Sequence, residues 1–316
     1  MLRAAGSWVR DLSVPHRRRH LEAAYLFSRQ KRLNTLHRIY GSESSRRHPV
    51  ATLDSMKTLL ICHDGAQFDQ VALARWLNSF SNLVGIVIIQ EPPGRIWRRV
   101  RREFKRIGFL RFLDVLAFRL YYQIFLLGKD RRWEREELRE RCLIYADIPS
   151  DTAIFKTPSP NSQEAEAFIR SLNPDLVLAR CKVLLKESVF SISAKGTFVM
   201  HPGICPEYRN AHGCFWALAN RDLNKVGMTL LRIDKGVDTG PAFGYYSYPF
   251  DELHESHIVI QHRVVLENLD ALRSKLLEIF NGTAIPLNTS GRPSAAWGQP
   301  WLTKYLEWKS RAKKGT

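Results

Sequence analysis

The sequence predicts an α/β fold: a mostly parallel, twisted sheet with helices on both faces, interrupted by a helical insertion. Three observations carry this. Short apolar runs rich in β-forming residues recur along the chain, and stretches with helical spacing separate them. The runs "LVGIVIIQ" (83–90) and "LVLAR" (176–180) are continuously apolar, as strands covered on both sides must be. Strands that alternate with helices pair in parallel through right-handed crossovers.

The elements follow in chain order. "KTLLIC" (57–62) is a buried strand that enters a Gly-containing loop. In "DQVALARWLNSF" (69–80), Leu73, Trp76, Leu77 and Phe80 fall on one side of a helix. The strand at 83–90 is broken by "EPPG", and residues 95–142, dense in Arg, Leu, Phe and Glu, read as helical throughout. "TAIFKTP" (152–158) is the next strand. "NSQEAEAFIRSLNPD" (161–175) is a helix opened by Asn161 or Ser162. The strand at 176–180, a short helix in "LLKESVFSI" (184–192) and the strand "GTFVMH" (196–201) complete the regular alternation. "HGCFWALANRD" (212–222) reads as a helix and "VGMTLLRID" (226–234) as a strand; a Gly-rich turn in "KGVDTGPAFGYYSYPF" (235–250) leads to a last strand. Residues 255–282 have the period of one long amphipathic helix stopped by Gly282, and 283–316 read as a tail with three tryptophans and no fold of its own. The domain reading is therefore a basic extension (1–55), one domain (56–284) containing the insert (95–142), and a tail (285–316).

The net charge of +17 is unevenly spread. Residues 1–55 carry 11 Lys and Arg against 4 Asp and Glu, and residues 95–142 carry 15 against 7. The remainder is close to neutral, so the fold itself need not meet a polyanion, while the two basic segments suit a solvated surface, an anionic membrane or nucleic acid. The insert has none of the usual RNA-module motifs. The stretch 108–128 is the most membrane-like, but Arg111, Asp114 and Arg119 interrupt it, each costing about 3 kcal/mol at a bilayer centre. It reads as an amphipathic helix packed on the core or lying on a membrane surface, rather than a span. Five cysteines with no CxxC argue against a disulfide framework or a structural zinc site, and for a reducing compartment such as the cytoplasm. The Arg-rich start imitates an organelle transit peptide, although it contains Asp11 and Glu22. "MKTLLICHDG" at Met56 reads like a domain start, which makes 1–55 an extension.

Ligands of open α/β sheets sit beyond the carboxyl ends of the strands. Three candidate groups stand at such ends: Cys62–His63–Asp64, Arg180–Cys181–Lys182, and His201, where "FVMHPGICPEYRNAHG" (198–213) turns directly from a strand into a loop.

The segment "MHPGICPEYRNAHGCFWALANRDLNKVGMTLLRIDKGVDTGP" (200–241) resembles the central signature of the folate-dependent formyltransferases, a family that includes glycinamide ribonucleotide, methionyl-tRNA and sugar N-formyltransferases. The marks are HP, an apolar–Pro stretch, Tyr-Arg, a glycine-bearing strand and then D-x-G-x-D-T-G. "NPDLVLARCKVLLKESVF" upstream resembles the strand and loop lining the family's pterin pocket, so the likeness runs over about residues 57–284. It implies a Rossmann-like formyltransferase fold and transfer of a formyl group from 10-formyltetrahydrofolate to a primary amine of a small metabolite, such as an amino sugar nucleotide. Methionyl-tRNA is the less expected acceptor, because relatives acting on tRNA carry a further C-terminal β-barrel for which the residues after 284 are too few. The match assigns catalysis to His201 and Asp238, with the imidazole donating to the developing oxyanion or shuttling protons, worth about 10²–10⁴-fold in rate. It places the folate against the loop Ile233–Asp238, including Asp234 and Gly236, and against the backbone of Cys181, Lys182, Val183 and Leu184. Tyr208, Arg209, Asn210 and His212 fall on the acceptor side, where Arg209 would bind a phosphate or sugar diphosphate. No metal is implied.

One position departs from the family. The pattern N-x-H places an asparagine two residues before the histidine, where it hydrogen-bonds the formyl oxygen; here that residue is Val199. Loss of one oxyanion donor costs about 10²–10³ in turnover. Asn210, His212 and His63 are the candidate replacements. Two alternatives to amine transfer follow: hydrolysis of the formyl donor by the same pair, and a catalytically weakened folate- or nucleotide-binding homologue.

Overall fold

The computed structural model describes residues 56–315, so the reading of 1–55 lies outside the described residues. Five parallel strands form the body of the sheet: β1 (Lys57–His63), β2 (Asn82–Ile89), β3 (Ala153–Thr157), β4 (Leu176–Arg180) and β5 (Gly196–His201). A two-residue strand, β6 (Arg209–Asn210), lies outside this sheet. β7 (Met228–Arg232) and β8 (Ala242–Tyr246) add antiparallel strands, giving the order β3-β2-β1-β4-β5-β7-β8. The expected mostly parallel α/β sheet is present.

Alternation along the strands divides the core in two. Leu60, Cys62, Phe198 and Met200 face Trp76 and Leu77 of α1 (Ala74–Asn78) on one side of the sheet. Leu59, Ile61, Val87 and Val177 face the other side, against helices at 163–172 and 187–190 through Ile169 and Val189. Each of these aliphatic side chains is essentially inaccessible, contributing about 2 kcal/mol by its burial. The helix expected at 69–80 opens as a π-helical turn, Phe68–Leu73, before α1.

The insert is helical as expected, in three pieces: α2 (Pro93–Ile107), α3 (Phe109–Tyr121) and α4 (Leu127–Ile144), with a π-helical turn, Tyr122–Leu126, before α4. Gly108, at φ +79°, supplies the left-handed residue that turns α2 into α3. The Asp130 carboxylate accepts hydrogen bonds from Tyr122 Oη (2.9 Å) and Ser256 Oγ (2.6 Å), which docks the insert on the domain.

After β4, α5 (Gln163–Leu172) having preceded it, come α6 (Glu187–Phe190), α7 (Gly213–Ala219), α8 (His257–Glu267) and α9 (Leu269–Phe280). Ser162 caps α5, its hydroxyl accepting from Ala165 N at 3.2 Å. The single helix expected over 255–282 is instead broken between α8 and α9. Asn268, at φ −118° and ψ 17°, donates its Nδ2 to the carbonyls of Val264 (2.8 Å) and Ser247 (3.0 Å), so a side chain competes with the helix for its own backbone. Gly282 ends α9 at φ +74°.

The residues after 282 also differ from the expected foldless tail. β9 (Ala296–Trp297) pairs in parallel with β6, and α10 (Leu302–Lys314) packs Tyr305 and Trp308 against α3 and α7. Trp308 is fully buried, and its indole donates to Glu252 Oε1 at 2.8 Å. The apolar spacing of Tyr305 and Trp308 on a short helix has nothing local to distinguish it from an exposed aromatic pair. We expect Trp308→Ala to lower unfolding free energy by about 3–5 kcal/mol, read by urea denaturation followed by circular dichroism.

Candidate functional site

The site grows from the carboxyl end of β5. Phe198 and Met200 point into the core, so Thr197, Val199 and His201 point the other way. His201 is 3% exposed. Its Nε2 is 2.8 Å from the carbonyl oxygen of Tyr208, and its Nδ1 is 3.3 Å from Asp238 Oδ2. A carbonyl only accepts, so Nε2 carries a hydrogen and the ring is fixed by both nitrogens. The residues that the resemblance pairs, 37 positions apart in the chain, do meet.

Two loops make this contact. In residues 202–210, Gly203 and Gly213 bring two backbone segments together: a Cβ on Gly213 would sit 2.6 Å from Gly203 Cα and 2.7 Å from Tyr208 O. The buried Thr229 hydroxyl donates to Gly203 O (2.6 Å) and accepts from Cys205 N (3.0 Å), fastening this loop to β7. In residues 233–240, Asp234 closes the turn by accepting from Gly236 N (2.9 Å) and Thr239 Oγ1 (2.9 Å). Asp238 lies in the left-handed region at φ 53°. Its Oδ2 also accepts from Asn210 N at 2.8 Å, so the carboxylate joins the two loops.

A cleft open to solvent lies beside Asp238. Cys181, Val183, Leu184 and Leu185 form one wall; Leu231 to Gly236, with Asp238 and Gly240, form the other; and Val199 lies between them. The structure therefore brings Cys181, Val183, Leu184, Asp234, Gly236 and Asp238 around one cavity, while Lys182 stays outside its lining. Asp238 lines the cleft and His201 does not. This differs from the expectation that the imidazole faces the ligand: the carboxylate is in front and the ring stands behind it, because the Tyr208 carbonyl holds the ring inward.

The expected pterin-pairing backbone is partly engaged already. Lys182 N donates to His63 Nε2 (2.9 Å), and Leu184 O accepts from Asn161 Nδ2 (2.8 Å). His63 thus ties the ends of β1 and β4 together, and the nitrogen it presents to Lys182 is an acceptor. Desolvation, the main cause, pushes the Cys181 thiol up to about 12, so it is no thiolate nucleophile near neutral pH. Arg180 spans two strand ends, with Nε 3.1 Å from Asp69 Oδ1 and Nη1 donating to Met200 O at 2.8 Å.

The side chains expected on the acceptor side have partners within the fold. The Tyr208 ring is buried, stacked on Trp297 at 5.6 Å, with its hydroxyl donating to Asp222 Oδ2 at 3.1 Å. It packs in the core because its neighbours are apolar aromatics; only its backbone carbonyl serves the pair. Arg209 spends Nε on Ser294 Oγ and Nη1 on Val237 O, both at 2.9 Å, and braces the two loops. Asn210 directs its side-chain amide to Trp297 O. His212 stands 5.9 Å from the His257 ring, and desolvation pushes it down to about 4, leaving it neutral near pH 7. Of the candidate replacements for the missing asparagine, Asn210 directs its amide to Trp297 O and His63 accepts from Lys182 N, while Val199 itself contributes an aliphatic wall to the cleft.

Sequence reading missed the buttress of this site. Glu207 receives Arg292 through two bonds (2.9 and 2.6 Å) and Lys225 at 2.7 Å. Trp297 Nε1 donates to Glu207 O at 2.9 Å, Ala295 N to Pro206 O at 3.1 Å, and Arg209 N to Ala295 O at 3.0 Å. Residues 292–297 are thus strapped across the loop that carries the Tyr208 carbonyl.

An open, mostly parallel sheet with a carboxylate–imidazole pair beside a cleft at its carboxyl edge defines a protein of the doubly wound α/β class, whose ligands sit at that edge. Residues 131–272 match the family model described as formyl transferase. That span contains both His201 and Asp238. Similar curated proteins are the methionyl-tRNA formyltransferase of Thermotoga neapolitana (33% identical over 123 residues, 37% of this chain and 39% of that one) and its counterpart from Thermotoga maritima (29% over 136 residues, 41% and 43%). The chain thus spans about two fifths of the length of the curated relatives it matches. Among solved structures, a sugar N-formyltransferase from Shewanella sp. FDAARGOS_354 is 13% identical, with 81% of this chain and 88% of that chain covered at a TM-score of 0.46.

Burial alone would raise the Glu207 carboxyl, but the hydrogen bonds from Arg292 and Lys225 outweigh it and hold the group below its ordinary 4.5. A carboxyl held low in the fold stabilises it fully above that ordinary value, and the contribution is lost as pH falls through the lower folded value. Glu207→Gln should cost about 3 kcal/mol at neutral pH. The wild type should also lose more stability than this variant between about pH 5 and pH 3, measured by urea unfolding across that range.

Proposed function

We propose that the chain transfers a formyl group from 10-formyltetrahydrofolate to a primary amine on a small metabolite. The observation that carries this reading is the Asp238–His201 pair, 3.3 Å apart, with Asp238 at the wall of the cleft and His201 behind it. The family match over residues 131–272 supports it. The cleft suits a reduced pterin: Val183, Leu185 and Ile233 offer apolar walls to a flat ring, while Asp234 and Gly236 bring polar groups to its edges. When bound, 10-formyltetrahydrofolate supplies a formyl carbon open to attack by an amine.

The chain's residues then have the following tasks. Asp238 receives the proton that the amine gives up as its nitrogen bonds the formyl carbon, and returns one to the departing nitrogen. His201, behind it, shares that proton and keeps the carboxylate aimed at the cleft; Asn210 N fixes the carboxylate from the other loop. Tyr208 O holds the imidazole so that Nδ1 faces Asp238. Val199 offers no hydrogen bond to the developing oxyanion, so the reaction proceeds without the donor that the family pattern places there. A cytoplasmic setting, where the donor and reduced thiols coexist, suits this activity.

The test incubates the purified chain with 10-formyltetrahydrofolate alone, with a panel of small amines, and with methionyl-tRNA. The expected result is formyl product on a small amine, with formate release without acceptor at least tenfold slower. Steady formate release favours the hydrolase, and binding without turnover favours the weakened homologue, for which Val199 is the motivating residue. Product on methionyl-tRNA alone would move the acceptor to the one named by the curated relatives. His201→Ala and Asp238→Asn should each lower turnover by about 10²–10⁴-fold while the circular dichroism spectrum is retained. Val199→Asn should raise turnover by about tenfold or more if the amide reaches the oxyanion.

A further inference from the structure

The helical insert has a side that the proposed chemistry does not use. Eight of the fifteen exposed large apolar side chains among the described residues fall between Phe104 and Phe125. They are not scattered. Phe109, Leu113, Leu116, Leu120 and Ile124 recur at helical spacing, a single stripe along α3 that continues into the π-helical turn, with Leu120 58% and Ile124 63% exposed.

The opposite side of α3 already has its partners. Val115 and Phe118 are buried, and Phe118 packs 5.3 Å from the Tyr305 ring and 5.8 Å from the Phe215 ring. Asp114 accepts from the backbone and the hydroxyl of Thr303. The helix is therefore clamped by one face and presents its other apolar face outward. Patches of this size on a soluble body mark a surface that meets something apolar.

Charge identifies what that is. Residues 93–125 carry nine Lys and Arg against two Asp and Glu. The exposed Arg98, Arg101, Arg102 and Lys105 of α2 form no ion pair with any described residue, whereas Arg106 pairs with Glu103. A cationic helix leading through Gly108 into an apolar stripe combines the two interactions that hold a protein on an anionic bilayer: headgroup attraction, and shallow insertion of aliphatic side chains. No helix among the described residues is long and apolar enough to cross a membrane. We propose that α2 and α3 form a docking surface for an anionic lipid membrane, on which the chain lies peripherally. The proposal is independent of the formyl-transfer reading, since none of these residues lines the cleft.

The test is flotation of the full chain with phosphatidylcholine vesicles, with and without about one third phosphatidylserine, at about 0.1 M and 0.5 M salt. The expected result is at least tenfold tighter binding to the anionic vesicles at low salt, weakened at high salt. Two variants are compared: Leu113→Ser/Leu116→Ser/Leu120→Ser on the stripe, and Arg101→Glu/Arg102→Glu/Lys105→Glu on α2. Each should lose at least tenfold in binding while keeping the wild-type circular dichroism spectrum and thermal midpoint. Undiminished binding by both variants would place the attraction elsewhere, for instance in the basic residues 1–55, and overturn the proposal. So would absence of binding to either vesicle. A concentration-dependent doubling of mass in light scattering that the stripe variant abolishes, without vesicle binding, would assign the stripe to self-association instead.

Discussion

The Tyr208 carbonyl oxygen reaches His201 only because two glycines, at 203 and 213, let separate backbone segments touch. That contact decides the rest of the site. It turns the imidazole inward, fixes a hydrogen on Nε2 and leaves Nδ1 toward Asp238. The carboxylate, not the ring, then stands at the cleft wall. A side chain larger than hydrogen at either glycine would force the loop away and release the ring. The geometry of the pair therefore rests on packing between main-chain atoms, a constraint that no rearrangement of side chains can relieve.

The second dependence runs to the far end of the chain. Glu207 holds two cations, and its own carbonyl accepts from Trp297, so residues 292–297 and 203–210 form one braced unit. β6 and β9 pair within it, and Tyr208 and Trp216 both stack on Trp297. The half-buried ionic cluster contributes here through geometry more than through Coulomb attraction, because its charges have given up part of their hydration. What it secures is the position of the Tyr208 carbonyl.

The sheet was legible in the sequence because its strands are short and centred on continuous apolar runs; "LVLAR" and "GTFVMH" coincide with β4 and β5. The His201–Asp238 pair was legible through motif spacing, and the structure brings the two together. The orientation of the pair was not, since it depends on a carbonyl and on glycine contacts that leave no mark on residue type. Tyr208 reads as a polar aromatic in a loop, but its ring has a partner 89 positions away in Trp297, and that distance is invisible to local pattern. Arg292 and Glu207 are separated by 85 residues, and neither carries a local sign of the other. The break at Asn268 was available in principle, as an asparagine within a helical pattern, yet the apolar period on either side runs through it unchanged.

The strap from Arg292 to Trp297 has a consequence for how the protein comes into being. A nascent chain can pair β1 through β5 before residues 292–297 are made. The loop that aims His201 lacks its outer strap until Trp297 has left the ribosome. Fragments that end before Arg292 would thus keep the sheet yet lack the strap behind the Tyr208 carbonyl.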